Sequence, residues 1–406
     1  MSHNILSKIT VIDMTEGVAG PYAAMVLSDM GANVVKVERQ AGDWSRPTDH
    51  VRVDGEANAN FIALNRNKRD IGLDVSGAAG KQILERLIAR SDVLISNYRP
   101  GVMAKLGFDD VRCRAINEDL VYCTISGFGQ DGAYADFPAS DTIIQAMSGV
   151  MSLVGEAEGP PLRVGFPLID MAAANSAVQA VLLALYGRLE GQGGATIDIS
   201  LMAAALALMS GGYTRYAVSG KVPQRQGNQN TNLAPAGAFK TRDGRYLSIA
   251  VLRDLHWIKF CAAMELGQLA EDSRFVTNAL RVENRTALDQ IIVPMFASQP
   301  ATYWLARLRA ADILCGPIND FADIAADTNL TSGLPLVDPM AANVPQTVGV
   351  PIRFNGHFAE TTRPAPAKGE HTHEILTAFG FGTDEVEVFL REGVVFSSDG
   401  DNRTID

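Results

Sequence analysis

The chain has 406 residues, 47% of them hydrophobic and 20% charged, with a formal net charge of −11. That length can bury a sizeable core, the composition is globular rather than disordered, and the acidic balance argues against nucleic acid, which basic patches bind. Cys113, Cys123, Cys261 and Cys315 stand far apart with no C-x-x-C pair, so neither a disulfide framework nor a zinc site is supported, and a reducing, cytoplasmic setting is expected.

The opening MSHNILSKITVIDMT lacks the basic and long apolar regions of a signal peptide. TVIDM, Thr10–Met14, reads as a strand, and a helical pattern follows over Tyr22–Met30. Further strands are expected at Val34–Glu38, Ile71–Val75, Val93–Ser96 and Val121–Ser126, with a helix over Gly77–Ala89. Strands alternating with helices imply an α/β fold around a parallel sheet. The two most apolar stretches, Met171–Tyr186 and Ile199–Met209, are shorter than a bilayer span and read as core helices, so no membrane association is expected. The first belongs to a helix over Met171–Arg188, followed by a strand at Ala195–Ser200.

From Lys221 the pattern changes. KVPQRQGNQNTNLAPA has no periodicity and reads as a loop. A hairpin turning at Asp243-Gly244 spans Phe239–Val251, and helical segments follow near 254–266, 283–297 and 300–310. These make a smaller α+β unit. The boundaries expected are 1–220 for a large domain, 221–330 for the small one and 331–406 for a C-terminal segment. That segment is Pro-punctuated to 369 and closes on a helix over Glu370–Gly380.

Local motifs mostly fail as chemistry. GFGQDG, 127–132, fits G-x-G-x-x-G after a strand, but the chain continues AYADFPAS and no helix opens there. His371 and His373 lie two apart, a spacing that does not share a helix face, so no metal is expected. Asp170 precedes an apolar helical run and reads locally as an N-cap. A helix N-terminus would also keep its carboxylate ionised and could supply N–H groups to an oxyanion.

Several motifs in series point further: Gly20-Pro21, LSDMGANVVKVERQAGDWSR (27–46), LNRNKRDIGLDV (64–75), DVLISNYRPGVMAKLGF (92–108), SGFGQDGAYADFPASDTIIQAMSGVMSLVG (126–155) and LIDMAAANSAVQAVLLALYGR (168–188). Together they resemble the class III CoA-transferase family, of the formyl-CoA and carnitine CoA-transferase type, which also contains the α-methylacyl-CoA racemases. The resemblance spans roughly residues 5–405. It implies a Rossmann-like large domain, to which the C-terminal segment returns, with an inserted smaller domain. It also implies a homodimer of interlocked rings that takes acyl-CoA and a small carboxylic acid. Coenzyme A would then be a co-substrate, and the reaction would need no metal.

The same resemblance assigns residues. Asp170 takes the place of the catalytic aspartate, which would hold the acyl group as a mixed anhydride and then CoA as a thioester. Arg39 and Lys68 match cations near the nucleotide. Asn97 and Tyr98 match a pair lining the CoA channel, and Lys105 matches a basic residue for the phosphates. Racemases carry a histidine where this chain has Ser140, next to Asp141, and serine is a poor proton carrier. Asp141 is expected to cap a helix over Thr142–Met147. Formyl-CoA transferases carry a Tyr-Glu pair at Ser140-Asp141 and a glycine run where this chain has GNQNTNLAPAG (227–237), so larger acids are expected as substrates. The competing readings are a racemase or intramolecular CoA isomerase on the same scaffold, a non-catalytic CoA-thioester binder, and, on fold analogy alone, a nicotinamide-dependent dehydrogenase.

Overall fold

The structure is a computed structural model that describes residues 4–48, 51–53, 57–338 and 346–398. The chain divides into two compact units. The first holds the described residues up to Val150, Arg163–Lys221 and those from Leu334 onward. The second holds Met151–Leu162 and Val222–Gly333. The short piece Met151–Leu162 therefore leaves the segment that the sequence reading gave wholly to the large domain.

Unit 1 is built on β1 (Thr10–Met14), α1 (Ala19–Asp29), β2 (Asn33–Glu38), β3 (Arg69–Leu73), α2 (Ala78–Ala89), β4 (Val93–Ser96), β5 (Val121–Ser126), α3 (Asp141–Met147), α4 (Leu168–Leu189), β6 (Ala195–Ser200) and α5 (Leu201–Leu208). Val11, Ile12, Val34, Val35 and Val93–Ile95 are all buried, as strands covered on both faces require. α4 packs on β5, β6, α1 and α5. Its buried residues, Ile169, Ala173, Ala174, Ala177, Val178, Val181 and Leu185, recur at three- and four-residue spacing and form one inward face. At 22 residues α4 is longer than the stretch read from the sequence, and long and apolar enough to cross a bilayer by length and composition. Its inward face against the sheet marks it as a core helix. The face turned away exposes Leu182, Leu183, Tyr186 and Leu189.

Unit 2 holds a three-stranded antiparallel sheet in the order β9-β8-β7, made of β7 (Ala236–Lys240), β8 (Tyr246–Ala250) and β9 (Leu314–Pro317). Helices α6 (Asp254–Ala263), α7 (Arg285–Ser298) and α8 (Ala301–Ala310) enclose an aromatic core of Trp257, Phe260, Phe275, Phe296 and Trp304. Phe239 stacks on Phe296 at 4.6 Å, and Trp304 Nε1 donates to the Phe296 carbonyl at 3.0 Å. This unit also has an open cavity of about 720 Å³ lined by Glu156, Arg225, Asn228 and Tyr246. Its cation is engaged locally, since Arg225 donates to the carbonyls of Glu156 and Gly159.

The C-terminal segment re-enters unit 1 through α9 (Thr372–Ala378), α10 (Thr383–Arg391) and β10 (Val395–Phe396). The expected final helix over Glu370–Gly380 is thus shorter, and it is followed by a further helix and strand. β10 pairs antiparallel with β3 at the edge, and the other pairings are parallel. The seven strands run in the order β10-β3-β2-β1-β4-β5-β6. From β1 the chain winds one way through β2 and β3, then crosses to build β4, β5 and β6 on the other side. The order reverses between β1 and β4, and in open α/β sheets the crevice outside the strand ends at such a point is where ligands bind.

Candidate active site

A cavity of about 390 Å³ opens at that reversal, lined by loops from the carboxyl ends of the central strands. The β1–α1 loop supplies Glu16, Val18 and Ala19. The segment after β4 supplies Asn97, Tyr98 and Arg99, and that after β5 supplies Ser126 and Gly127. Ile125, Ala139, Ser140, Asp141, Asp170, Leu201 and Trp44 also line it.

The β1–α1 loop is held from beneath by buried ions. Lys68 Nζ donates to Asp13 Oδ2 at 2.8 Å, to the Pro21 carbonyl at 2.9 Å and to Asn65 Oδ1 at 2.7 Å. Lys36 Nζ donates to the Thr15 carbonyl at 2.7 Å and to Asp43 Oδ2 at 3.0 Å. Both ammonium groups are completely buried. Burial lowers the Lys68 pKa to about 8, against the opposing pull of Asp13. Burial also opposes the Lys36 charge, but Asp13, Asp43 and Glu38 outweigh it and hold that pKa above the ordinary lysine value. Gly17 turns the loop at φ 83°, and a Cβ there would run into the Trp44 indole. Asn97 closes the loop from the other side: its Oδ1 accepts from the Glu16 N–H at 2.9 Å and its Nδ2 donates to the Glu16 carbonyl at 2.7 Å.

Asp170 sits in the first turn of α4 rather than at its cap. The N-cap is Pro167, which places Asp170 three residues inside. A carboxylate at that position often reaches back to the cap N–H, but proline has none. Among the described residues nothing hydrogen-bonds the half-buried Asp170 carboxylate; burial pushes its pKa up to about 7, and the charge of Asp141 adds to the rise. The first-turn N–H groups are already taken. Asp141 Oδ2 accepts from the Ile169 N–H at 2.7 Å and from the Asp170 N–H at 3.3 Å. Asp141 therefore caps α4 and not, as the sequence suggested, its own helix: α3 begins at Asp141, with Ser140 at the N-cap and no side-chain cap bond. The N–H groups of Ile169 and Asp170 are correspondingly not free for an oxyanion.

The other residues singled out from sequence divide into three groups. Asn97 and Tyr98 line the cavity with Asp170, and burial raises the Tyr98 hydroxyl to about 12. Arg39 stands beside it: its side chain is 61% exposed and Nε lies 3.3 Å from Glu16 Oε1. Burial raises the Glu16 pKa while Arg39 opposes it. Lys68 and Lys105 do not line the cavity. Lys68 is sealed under the loop, so it is a structural cross-tie and not a surface cation, and Lys105 is exposed on the short helix Val102–Leu106. His371 Nδ1 accepts from the Asp70 N–H. Glu16, Trp44 and Arg99 went unmarked in the sequence. Trp44 and Arg99 lie inside segments quoted for the resemblance, and Glu16 stands two residues after the first strand, in the loop from which a switch-point residue comes.

An α/β fold with a half-buried carboxylate of raised pKa at the switch point is what the chain presents. The model of CoA-transferase family III matches residues 6–372. Succinate–glutarate CoA-transferase of Agrobacterium fabrum is 35% identical over 91% of this chain and 94% of that protein. Formyl-CoA:oxalate CoA-transferase of Streptomyces avermitilis is 32% identical over 96% and 99%. A crystal structure of a CaiB/BaiF family protein from Brucella suis superposes with a TM-score of 0.85 at 33% identity, covering 92% of this chain and 99% of that one. The chain belongs to CoA-transferase family III. It is a class III CoA-transferase, an enzyme whose family membership implies CoA thioester substrates.

Proposed function

We propose that the protein moves CoA from a short acyl-CoA donor to a free carboxylic acid, with Asp170 as the covalent carrier. The observation that carries this reading is the Asp170 carboxylate, which lines the cavity without a hydrogen-bond partner among the described residues and whose pKa burial pushes up to about 7. A carboxylate starved of solvent and donors is more basic than one in water, and hence a better nucleophile. Its oxygen attacks the donor thioester carbonyl and the C–S bond breaks, giving an aspartyl mixed anhydride and CoA thiolate. The thiolate attacks the Asp170 carbonyl, expelling the donor acid and leaving an aspartyl-CoA thioester. The acceptor carboxylate attacks that thioester, and the returning thiolate takes the acceptor acyl group, which frees Asp170 unchanged.

Small and apolar groups, Val18, Ala19, Ala139 and Leu201, make room beside Asp170 for an acyl chain. Relatives are named for succinate, glutarate, oxalate and mesaconate, and short dicarboxylic acids are the class proposed here. Arg39, Asn97 and Tyr98 are placed to meet CoA at the cavity mouth, and Lys105 is an exposed cation for its phosphates. Lys68 acts only by holding the loop. The working form is proposed as a cytoplasmic homodimer of Rossmann-like large domains with inserted small ones, the exposed apolar face of α4 being buried between chains. The test uses succinyl-CoA with glutarate, followed by mass. Asp170→Ala and Asp170→Asn should each lose at least ~1000-fold in turnover, and wild type incubated with donor should carry an adduct on the Asp170 peptide. Activity within about tenfold of wild type in either variant overturns the mechanism.

A further inference from the structure

We propose that Gln145 and Asp141 together form a positioning clamp for the nucleophile: Gln145 ties the segment entering α4 to Asp141, and Asp141 holds the first turn of α4, so that the Asp170 carboxylate faces the cavity. This rests on the reading of Asp170 as nucleophile. Gln145 is fully buried on α3. Its Oε1 accepts from the Val164 N–H at 2.8 Å, and its Nε2 donates to Asp141 Oδ1 at 2.6 Å. The other Asp141 oxygen accepts the Ile169 and Asp170 N–H groups. One unbroken hydrogen-bonded path therefore runs from the chain three residues before the cap, Pro167, through two side chains to the nucleophile's own backbone.

Each member is of the type its place requires. Position 145 needs an acceptor toward Val164 and a donor toward Asp141, and an amide has both in one planar group. Position 141 needs acceptors on both sides, which an ionised carboxylate offers. With Pro167 as the cap, the helix cannot satisfy its first turn through Asp170, so Asp141 does it from another element and leaves the Asp170 carboxylate unclaimed. The charge on Asp141 also disfavours the ionised form of Asp170, which keeps the nucleophile basic. Glu16 and Arg99 are the other charged groups lining this cavity.

The clamp is tested by exchanging its two chemistries. Gln145→Glu sets two carboxylates against each other, and Asp141→Asn sets two amide donors against each other. The double variant Asp141→Asn/Gln145→Glu restores every donor–acceptor pair with the negative charge moved one side chain away from Asp170. Each single variant should lose about 10–100-fold in kcat for succinyl-CoA with glutarate, while KM for succinyl-CoA stays within ~3-fold. The double variant should recover to within about fivefold of wild type, and its acid limb in the pH–kcat profile should move to lower pH because Asp170 has lost the nearby charge. If a single variant does not fold, the other single and the double still decide the matter. Wild-type kcat in a single variant, or a recovered double with an unmoved acid limb, overturns the clamp while leaving the nucleophile standing. An active Asp170→Ala removes the nucleophile reading whatever these variants do.

Discussion

Replacing Asp170 by asparagine should stabilise the protein, and more so as pH rises. Burial moves the Asp170 pKa from an ordinary 3.8 to about 7, with Asp141 adding to the rise. Between those two values the unfolded chain has lost the proton and the folded chain keeps it, so stability falls as pH rises through this window. The penalty begins near the ordinary value and is complete just above pH 7. At ~1.36 kcal/mol per pH unit its ceiling is ~4 kcal/mol. Asp170 is partly solvated at the cavity, and solvent screening brings the expected cost to about 2 kcal/mol. Asparagine carries no charge and avoids it. The small dipole benefit of an anion in a helix first turn, ~0.3–1 kcal/mol, is already supplied here by Asp141. Urea titrations at pH 5 and pH 8.5 should show the asparagine variant's advantage growing by roughly 1–2 kcal/mol between them. An advantage that is flat with pH, or that shrinks as pH rises, would refute the reasoning that places a basic, desolvated carboxylate in this cavity.

Three further outcomes follow from the same geometry. Lys68→Met leaves the buried Asp13 Oδ2 without its 2.8 Å ammonium partner, with Lys36 and Thr15 still acting on Asp13, and should cost about 3 kcal/mol in urea titration; wild-type stability with weakened CoA binding would instead make Lys68 a ligand contact. A 2-methylacyl-CoA kept in deuterium oxide without acceptor acid should take up negligible α-deuterium, because Ser140 cannot carry the second proton that racemisation needs. Sedimentation should give a dimer at low micromolar concentration that dilution does not readily separate, and a clean monomer would remove the proposed interlocked assembly.

Much of unit 1 was legible because its central strands are short β-branched runs buried on both faces, while the edge strand Ala195–Ser200 alternates apolar and polar residues. Thr10–Met14, Val93–Ser96, Val121–Ser126 and Ala195–Ser200 have the same bounds in sequence and structure. The α10 helix and β10 strand were not found: only Val386 of α10 is buried, and the segment is rich in charge. The start of α4 was read three residues late, because an aspartate before an apolar run reads as an N-cap, whereas the cap is Pro167. The site was legible as far as its motifs went, with Asp170, Asn97 and Tyr98 brought to one cavity. Lys68 defeated the reading, since nothing in LNRNKR tells a lysine that meets solvent from one sealed under a loop. Asp141 was taken for a local cap because sequence distance hides that Ile169 lies within hydrogen-bond reach.

A carboxylate nucleophile on a helix first turn faces two opposed demands. The helix N-terminus draws anions and makes them less basic, by its dipole and its unpaired N–H groups, whereas attack on a thioester favours a more basic carboxylate. If Asp170 accepted its own helix's N–H groups, its pKa would fall and its lone pairs would be occupied. This fold separates the tasks. Pro167 offers no N–H to a capping box, Asp141 takes the N–H groups of the first turn, and Gln145 keeps Asp141 in place. On the proposed mechanism, the charge that satisfies the helix is therefore not the charge that does chemistry, and its repulsion adds to the raised pKa of Asp170. On this account Asp141→Ala should act twice: the Ile169 and Asp170 N–H groups lose their acceptor, and Asp170 loses the neighbouring charge that adds to its raised pKa. The acid limb of activity should then move to lower pH and kcat should fall with it, a coupled loss that removal of a merely stabilising cap, typically ~1 kcal/mol, would not produce.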